Sequence, residues 1–496
     1  MTKKSQWVFM TARASYLSLY SSILLSFLGC DSIHAHSSSF FMPRSVTHSS
    51  LYELSLTNYN EYHTCACDGF SFNITPFYIQ STNQSQLARY FLPNGDSSLN
   101  LQEDGTGNIG SLWLNLIAPP GLSYSSTIKI APQRKVAGSY FNFRFDGTDV
   151  FEDSNPYLQN LWLSVTFAVM EARHNLHITE KLTGDMTFGT IPGVSTGLEA
   201  FNNPEWKYGK LSTRSLSKWG IDDIQIKLGD NWFFDCGNSH FGAYLVGTIP
   251  TGNKPKAHNL FEPLIGTKHA ACGVGINGDW QLSQCDAITI NFMTDMKYRH
   301  LFSGRERRSF DLKVNGDWSR YLLLVNGDAT SMSMFGINSM TVPVKVTPGS
   351  QVEAWFALHA EWNKWNFEAG YNFWYRSQDQ NIHYLEQFPP NTGIYDLAGI
   401  VAFDPTSASQ ANISESAIPP NQAPHDATFT PSYGFDEASG IQSSAFSNTI
   451  YLAMSFNDSI CDQFPFMCGL GGSYEFAQNK SALSQWSLWQ TISFRF

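Results

Sequence analysis

The stretch Gln351-Val-Glu-Ala-Trp-Phe-Ala-Leu-His-Ala-Glu-Trp362, then Asn363-Lys364, then Trp365-Asn-Phe-Glu-Ala-Gly-Tyr-Asn-Phe-Trp-Tyr-Arg376 shows one pattern twice, in opposite phase. Val352, Ala354, Phe356, Leu358, Ala360 and Trp362 form an apolar row against Glu353, Trp355, Ala357, His359 and Glu361. Past Asn363-Lys364 the apolar row moves to Trp365, Phe367, Ala369, Tyr371, Phe373 and Tyr375. Successive strand side chains point to opposite faces, so the pattern predicts two strands with one apolar and one mostly polar face. A two-residue connection makes them an antiparallel hairpin. Each strand matches the roughly 9–11 residues that a tilted strand needs to cross a bilayer, whereas soluble strands are usually about 5–6 residues long. The hairpin reads as two staves of a transmembrane β-barrel.

Composition agrees. Of 496 residues only 15% are charged, below the roughly 25% of soluble domains. Aromatics also reach 15%, with 37 Phe, 21 Tyr and 14 Trp, and barrels use aromatics as girdles at the two membrane interfaces. A mean hydropathy of -0.22 is compatible, because alternation hides the apolar band. A helical membrane protein would need runs of about 18 or more apolar residues, and the sequence has none.

At the N-terminus, Lys3, Lys4 and Arg13 precede an apolar segment from Tyr16 to Leu28, followed by Gly29-Cys30 and Ile33-His-Ala-His36. A basic region, a short apolar region and a small residue at the cut describe a secretory signal peptide, here residues 1–35. Phe27-Leu28-Gly29-Cys30 approaches a lipoprotein signal with Phe where Leu is preferred, so loss of Cys30 with the signal is the expectation. Cleavage removes a net +2 from a formal charge of -11, leaving -13, which argues against a nucleic-acid partner. Cys461 and Cys468 sit close enough in sequence to form a disulfide in an oxidising compartment. Cys65-Ala-Cys67 is too tight for a zinc pair and has no second pair, so no metal or other cofactor is expected.

Residues 36–69 show no sustained alternation and are expected to form an N-terminal extension, a plug or a misphased first strand. Residues 70–496 are expected to form the barrel. Candidate staves run over Phe70–Gln80, Leu112–Ile117, Ser123–Ile130, Ser139–Asp146, Leu161–Val169, Ile224–Leu228, His240–Ile249, Ile288–His300, Phe446–Phe456 and Leu470–Phe476, among others. The strands number about 14, with 12 and 16 as neighbouring counts. Asn-Gly is the strongest short hairpin signal, and it occurs in both Asn277-Gly-Asp-Trp280 and Asn315-Gly-Asp-Trp318. Alternation runs through both motifs, so both are expected in mid-strand and not in turns. Residues 378–445, rich in Pro, Ser, Ala and Gln, read as the longest loop.

The chain ends Trp486-Ser-Leu-Trp-Gln-Thr-Ile-Ser-Phe-Arg-Phe496, with Leu488, Ile492, Phe494 and Phe496 in one phase and Gln490 interrupting the row. An amphipathic last strand ending on Phe, behind an export signal, resembles the bacterial outer-membrane β-barrel family, porins in particular. The resemblance implies residence in the bacterial outer membrane, contact with its lipid, and recognition of Leu488, Ile492, Phe494 and Phe496 by the outer-membrane assembly machinery. It also makes a homo-oligomer an expected assembly. Counting back from a periplasmic C-terminus puts residues 378–445 outside and Asn363-Lys364 inside, as the rule of long outer loops and short periplasmic turns requires. The same count places the long connector 250–267 in the periplasm, a misfit.

Charge facing lipid at mid-membrane costs roughly 2–4 kcal/mol for Arg or Lys, so the polar face is assigned to the lumen. The expected lining comprises Arg144, Lys227, Lys297, Arg299, Lys313 and Arg376, with Asp279, Asp295, Asp311, Asp317, Glu353, Glu361 and Glu368, and with His359. Mixed signs suit a hydrated, weakly selective channel; mutual pairing that merely fills the lumen is the competing reading. Gly273-Val-Gly-Ile-Asn-Gly278 matches a dinucleotide-binding pattern, but within an alternating strand, without the helix that pattern needs. Glu171, His174 and His177 could ligate metal only on a helix or an ordered loop. No Gly-x-Ser-x-Gly or His-Glu-x-x-His motif occurs. The expected function is passive diffusion of small hydrophilic solutes, without enzymatic activity. The rivals are a surface structural or adhesin barrel with a blocked lumen, and an outer-membrane barrel enzyme.

Overall fold

In the computed structural model the described residues are 37–56, 69–103, 107–116, 118, 122–147, 160–184, 194–234, 239–285, 288–326, 334–386, 392–394, 413, 434–460 and 464–495. Twelve antiparallel strands pair in sequence order and close on themselves. They are β1 (Phe70–Ser81), β2 (Gln133–Asp146), β3 (Leu161–Asn175), β4 (Ile224–Phe234), β5 (Ser239–Ile249) and β6 (Ala271–Cys285), followed by β7 (Ile288–Leu301), β8 (Gln351–Trp362), β9 (Trp365–Arg376), β10 (Ala445–Ile460), β11 (Phe464–Ala477) and β12 (Gln485–Arg495). β1 pairs with β2 on one side and with β12 on the other, Phe72 opposite Phe494 and Tyr78 opposite Leu488. Closure leaves no sheet edge around the wall, the condition for a sheet to cross lipid.

The hairpin that decides the fold forms as its pattern predicts. β8 and β9 pair from Gln351 opposite Arg376 to Trp362 opposite Trp365, and Asn363 takes a positive φ of 54° in the two-residue turn. Leu358, Trp362, Trp365 and Phe367 are exposed on the outer wall, while Glu353, Trp355, His359, Asn366, Glu368 and Asn372 are buried inside. The same alternation repeats around the ring, where exposed Leu163, Leu228, Leu245, Val274, Ile290, Leu452, Leu470 and Leu488 make an outer apolar belt. Exposed contiguous apolar surface of this extent marks a membrane face. The chain is a closed antiparallel β-barrel with an apolar outer face, as the sequence pattern implies.

The strand ends that flank 235–238, 286–287, 363–364, 461–463 and 147–160 lie at one end of the barrel, with the end of β12. The strand ends that flank 82–132, 176–223, 250–270, 302–350, 377–444 and 478–484 lie at the other. The expected separation of short turns from long loops therefore holds, and the connector 250–270 joins the long-loop side, which removes the misfit.

The expectation of about 14 strands is corrected to twelve. Phe310–Trp318 alternates but does not span: only Asp311–Leu312 is strand, paired with Phe435–Asp436. Asn315–Trp318 is a turn, with Gly316 at φ 74° and Trp318 at φ 65°, and with Asn315 N donating to Leu312 O at 3.1 Å. The reading of that motif as mid-strand is wrong. Asn-Gly wins here because a free loop lets it take the positive φ it favours. Its twin Asn277–Trp280 does lie in mid-strand, in β6, where pairing to both β5 and β7 holds the backbone extended. Ser123–Ile130 contributes only Ser125–Lys129, in a small sheet with Ser98–Gln102 and Thr179–Leu182, not in the barrel wall.

The long loops build a cap with its own core, in which Leu87, Phe91, Trp113, Tyr124, Phe201, Trp206, Trp318 and Tyr321 are fully or almost fully buried. Beside the cap, Leu216–Ile221 pairs with Val169–His174 of β3, directly above the stretch of β3 that pairs with β4. The wall strand bends between the two, at the buried pair Asp222-Asp223.

Candidate functional site

Residues 37–56 occupy the inside of the barrel. Phe41 packs in the cap against Tyr90, Phe91 and Phe261, and Ser38 N donates to Tyr90 O at 2.9 Å. The segment then descends through one helical turn, Ser50–Leu54, every residue of which is buried. Tyr52 meets Phe77 of β1 and Trp489 of β12, and Leu56 N donates to Glu368 of β9 at 3.1 Å. Residues 37–56 thus lie against inward-facing side chains of the wall and are termed the plug below, and residues 57–68 of the expected extension or plug lie outside the described residues.

Plug and wall are joined through charge. Glu353 on β8 is fully buried, accepts from Ser50 N at 2.7 Å and from Asn372 Nδ2 at 2.8 Å, and pairs with Arg44 of the plug. Lys297 and Arg299 of β7 reach the same carboxylate at 3.3 and 3.9 Å. Glu53 of the plug lies 2.5 Å from Lys227 of β4 and 3.6 Å from Lys297. Asp295 accepts from Tyr244 Oη at 2.8 Å and from Ser50 Oγ at 3.2 Å. Glu368 accepts from Tyr451 Oη at 2.6 Å, with His359 Nδ1 at 3.3 Å. Inward-facing side chains from seven or more staves thus converge on one segment that the sequence pattern left unassigned.

The remaining sequence candidates divide. Arg144, Asp279 and Arg376 are buried on the inner wall, and Glu361 is half-buried near the short-turn end. Arg144 pairs with Asp146 at 3.1 Å and stacks over Trp162. Asp311, Lys313 and Asp317 are corrected: they lie in the cap and not on the barrel wall, because the segment that carries them turns instead of spanning. Asp311 is buried against Arg320 at 3.3 Å, Lys313 is exposed, and Asp317 accepts from Ser37 N at 3.2 Å. Glu171 faces outward and His174 inward on β3, so they cannot share a metal. Of the disulfide pair, Cys461 lies outside the described residues, and Cys468 is on β11 opposite Phe456 instead of in a loop. Leu488, Ile492 and Phe494 form the outer row of β12, and Phe496 lies outside the described residues. The expected signal peptide also falls outside them.

Two clusters at the outer rim hold the upper plug. Asp222 accepts from Thr47 N at 2.9 Å and from Ser45 Oγ at 3.0 Å. Asp223 accepts from Thr267 N at 2.8 Å and Oγ1 at 2.7 Å. Burial, and the Asp222 carboxylate beside it, push the Asp223 carboxyl up to about 7. In the second cluster Arg308 lies over the Phe40 ring at 3.8 Å and pairs with Glu306 at 2.7 Å and Asp379 at 2.6 Å. His269 sits at 2.8 Å from both Phe302 O and Glu306 Oε1, so both ring nitrogens can donate only in the imidazolium form. Burial works to raise the Glu306 carboxyl, but Arg308 and His269 outweigh it and hold it at about 2. Burial works to lower His269, and the Glu306 carboxylate outweighs that, leaving the imidazole raised.

A raised histidine stabilises fully below its unfolded value, and that contribution is lost as pH rises through the folded value. Cap stability is therefore expected to fall above about pH 6.5 by more in the natural protein than in His269→Gln. Asp223, raised to about 7, contributes to both a loss that is complete near pH 7 and adds nothing above it. Urea midpoints followed by tryptophan fluorescence between pH 6 and 9 check this; parallel profiles would remove His269 from the cause.

No protein-family model and no curated protein sequence matches the chain. Among solved structures, an outer membrane channel from Pseudomonas putida F1 aligns with TM-score 0.36 and 9% identity over 88% of this chain and 98% of that one. The CymD monoaromatic hydrocarbon channel gives 0.30 and 9% over 92% and 94%. The translocator domain of the autotransporter NalP from Neisseria meningitidis gives 0.28 and 8% over 91% and 96%. Overlap at this level bears on neither substrate nor mechanism.

Proposed function

We propose that the chain is a gated outer-membrane channel, closed at rest by residues 37–56 and passing small hydrophilic solutes when that segment is displaced. The observation that carries this reading is the chemistry of the plug–wall seam. Buried ion pairs are often no better for stability than apolar residues of the same volume, because desolvation offsets the attraction. A barrel filled only for solidity gains little from burying Lys227, Asp295, Lys297, Arg299, Glu353 and Glu368. A lumen that must hydrate when the plug leaves needs such a lining. The hydrated lumen and the mutually paired filling, the two readings that alternation left, become on this proposal two states of one polar wall, without and with the plug. Lipid against the outer belt, and the assembly machinery acting on the β12 row, belong to the same proposal.

A second reading, the surface structural barrel, is favoured by the cap, whose buried aromatic core exceeds what a simple pore needs. Planar-bilayer recording separates the two. The natural mature chain should be mostly silent, with rare salt-dependent steps, and Glu353→Gln combined with Glu368→Gln should raise their frequency at least about tenfold, as follows if each change weakens the seam by about 1 kcal/mol. Silence of both proteins, with heat-modifiable gel mobility showing that each is folded, would favour the structural barrel.

A further inference from the structure

We propose that a small cavity between the upper plug and the wall of β1, β2, β10, β11 and β12 is a binding site for one small inorganic anion of halide size. The cavity has a volume of about 30 Å³, room for roughly two water-sized spheres. Its lining includes Arg44, Ser49 and Tyr52 from the plug, and Arg134, Glu475 and Ser487 from the wall.

Arg134 is the residue that points to a ligand. It stands at the outer end of β2 in inward phase and is only 3% exposed. Its backbone N–H donates to Ser81 Oγ at 2.9 Å, but its guanidinium Nε is buried without a hydrogen-bond partner. Arg44, whose Nη atoms serve Glu353 and Asn372, likewise has a buried Nε without one. A guanidinium cannot escape burial by losing its proton, and an uncompensated buried charge is costly. The nearby carboxylates Asp222 and Glu475 attract Arg134, but its Nε hydrogen-bonds to neither. Glu475 already accepts from Ser447 Oγ and from Gln485 Nε2, with Arg44 Nη1 4.0 Å away. Asp222 attracts Arg134 but spends its hydrogen bonds on Ser45 and Thr47.

Two guanidiniums and several hydroxyls thus face a cavity whose one lining carboxylate is engaged elsewhere. A monatomic anion fits both the volume and the charge. Six lining residues belong to the plug and seven to the wall, so the anion joins the two.

The test uses bromide as the probe on the full mature protein. An anomalous bromide peak within hydrogen-bond reach of the Arg134 guanidinium supports the site; solvent density there without an anomalous signal overturns it. In solution, the unfolding temperature is compared in sodium bromide and sodium gluconate at equal ionic strength. A ligand that binds only the folded state stabilises it by mass action. The natural protein and Glu475→Gln should therefore both melt several degrees higher in bromide, and Arg134→Met should not. An equal response in Arg134→Met overturns the proposal. The crystallographic arm stands if that variant fails to fold. Both readouts report binding and not conductance, so they decide the site independently of whether the barrel conducts.

Discussion

Replacing Glu353 by alanine should destabilise the folded barrel by about 3–5 kcal/mol, the usual cost of leaving buried charge uncompensated, and should release the plug. The side chain is fully buried, so solvent screening does not discount the effect. Its removal strands Arg44, Lys297 and Arg299 around an apolar methyl, and takes the acceptor from Ser50 N at the first turn of the plug helix. Glu353→Gln keeps the shape and one acceptor oxygen, so it should lose less. Urea midpoints of the bilayer-folded protein measure the stability. Limited proteolysis followed by mass mapping shows whether residues 37–56 become cleavable. An alanine variant with an unchanged midpoint and a protected plug would mean that packing of Leu51, Tyr52 and Leu54, not charge, holds the segment.

Trp318→Ala should cost about 3–5 kcal/mol, as expected for emptying a large buried aromatic site, with the loss confined to the cap. Trp318 is fully buried, with ring centroids 5.7 Å from Phe201 and 5.0 Å from Tyr321, and its Nε1 donates to Phe91 O at 2.8 Å. Alanine leaves a cavity and an unpaired carbonyl. The barrel wall makes its backbone hydrogen bonds around a closed ring that does not include this site. The variant should therefore keep heat-modifiable gel mobility while cap loops become protease-sensitive. Simultaneous loss of both would show that cap and wall unfold as one unit.

Alternation alone made most of the wall legible. β7, β8, β9 and β12 could be read almost residue for residue, because a strand with lipid on one side and polar packing on the other must repeat every second residue. The cap was not legible as a cap. Ser125–Lys129 and Asp311–Leu312 alternate as wall strands do, since any sheet with one buried face shows that period, and their place depends on partners distant in the chain. The two Asn-Gly-Asp-Trp motifs make the same point. Identical local chemistry gives a strand where neighbours pair both edges and a turn where none do.

The lumen residues were legible as inward-facing but not in their role. The plug, residues 37–56, has no period to detect: almost all of its residues are buried, against the wall or the cap, so no exposed face remains to alternate with a buried one. Arg44 and Glu53 therefore carried no signal, although they complete the network around Glu353 and Lys227.

By itself the sequence determined the barrel class, the inner and outer faces of its strands, and the separation of long loops from short turns. Each of these follows from a periodic demand that lipid makes on every spanning strand. Only the tertiary structure decided the strand count, the location of Asp311, Lys313 and Asp317, and the placement of residues 37–56 against the inner wall. These depend on contacts between segments far apart in the chain, and a one-dimensional pattern does not record which segments meet.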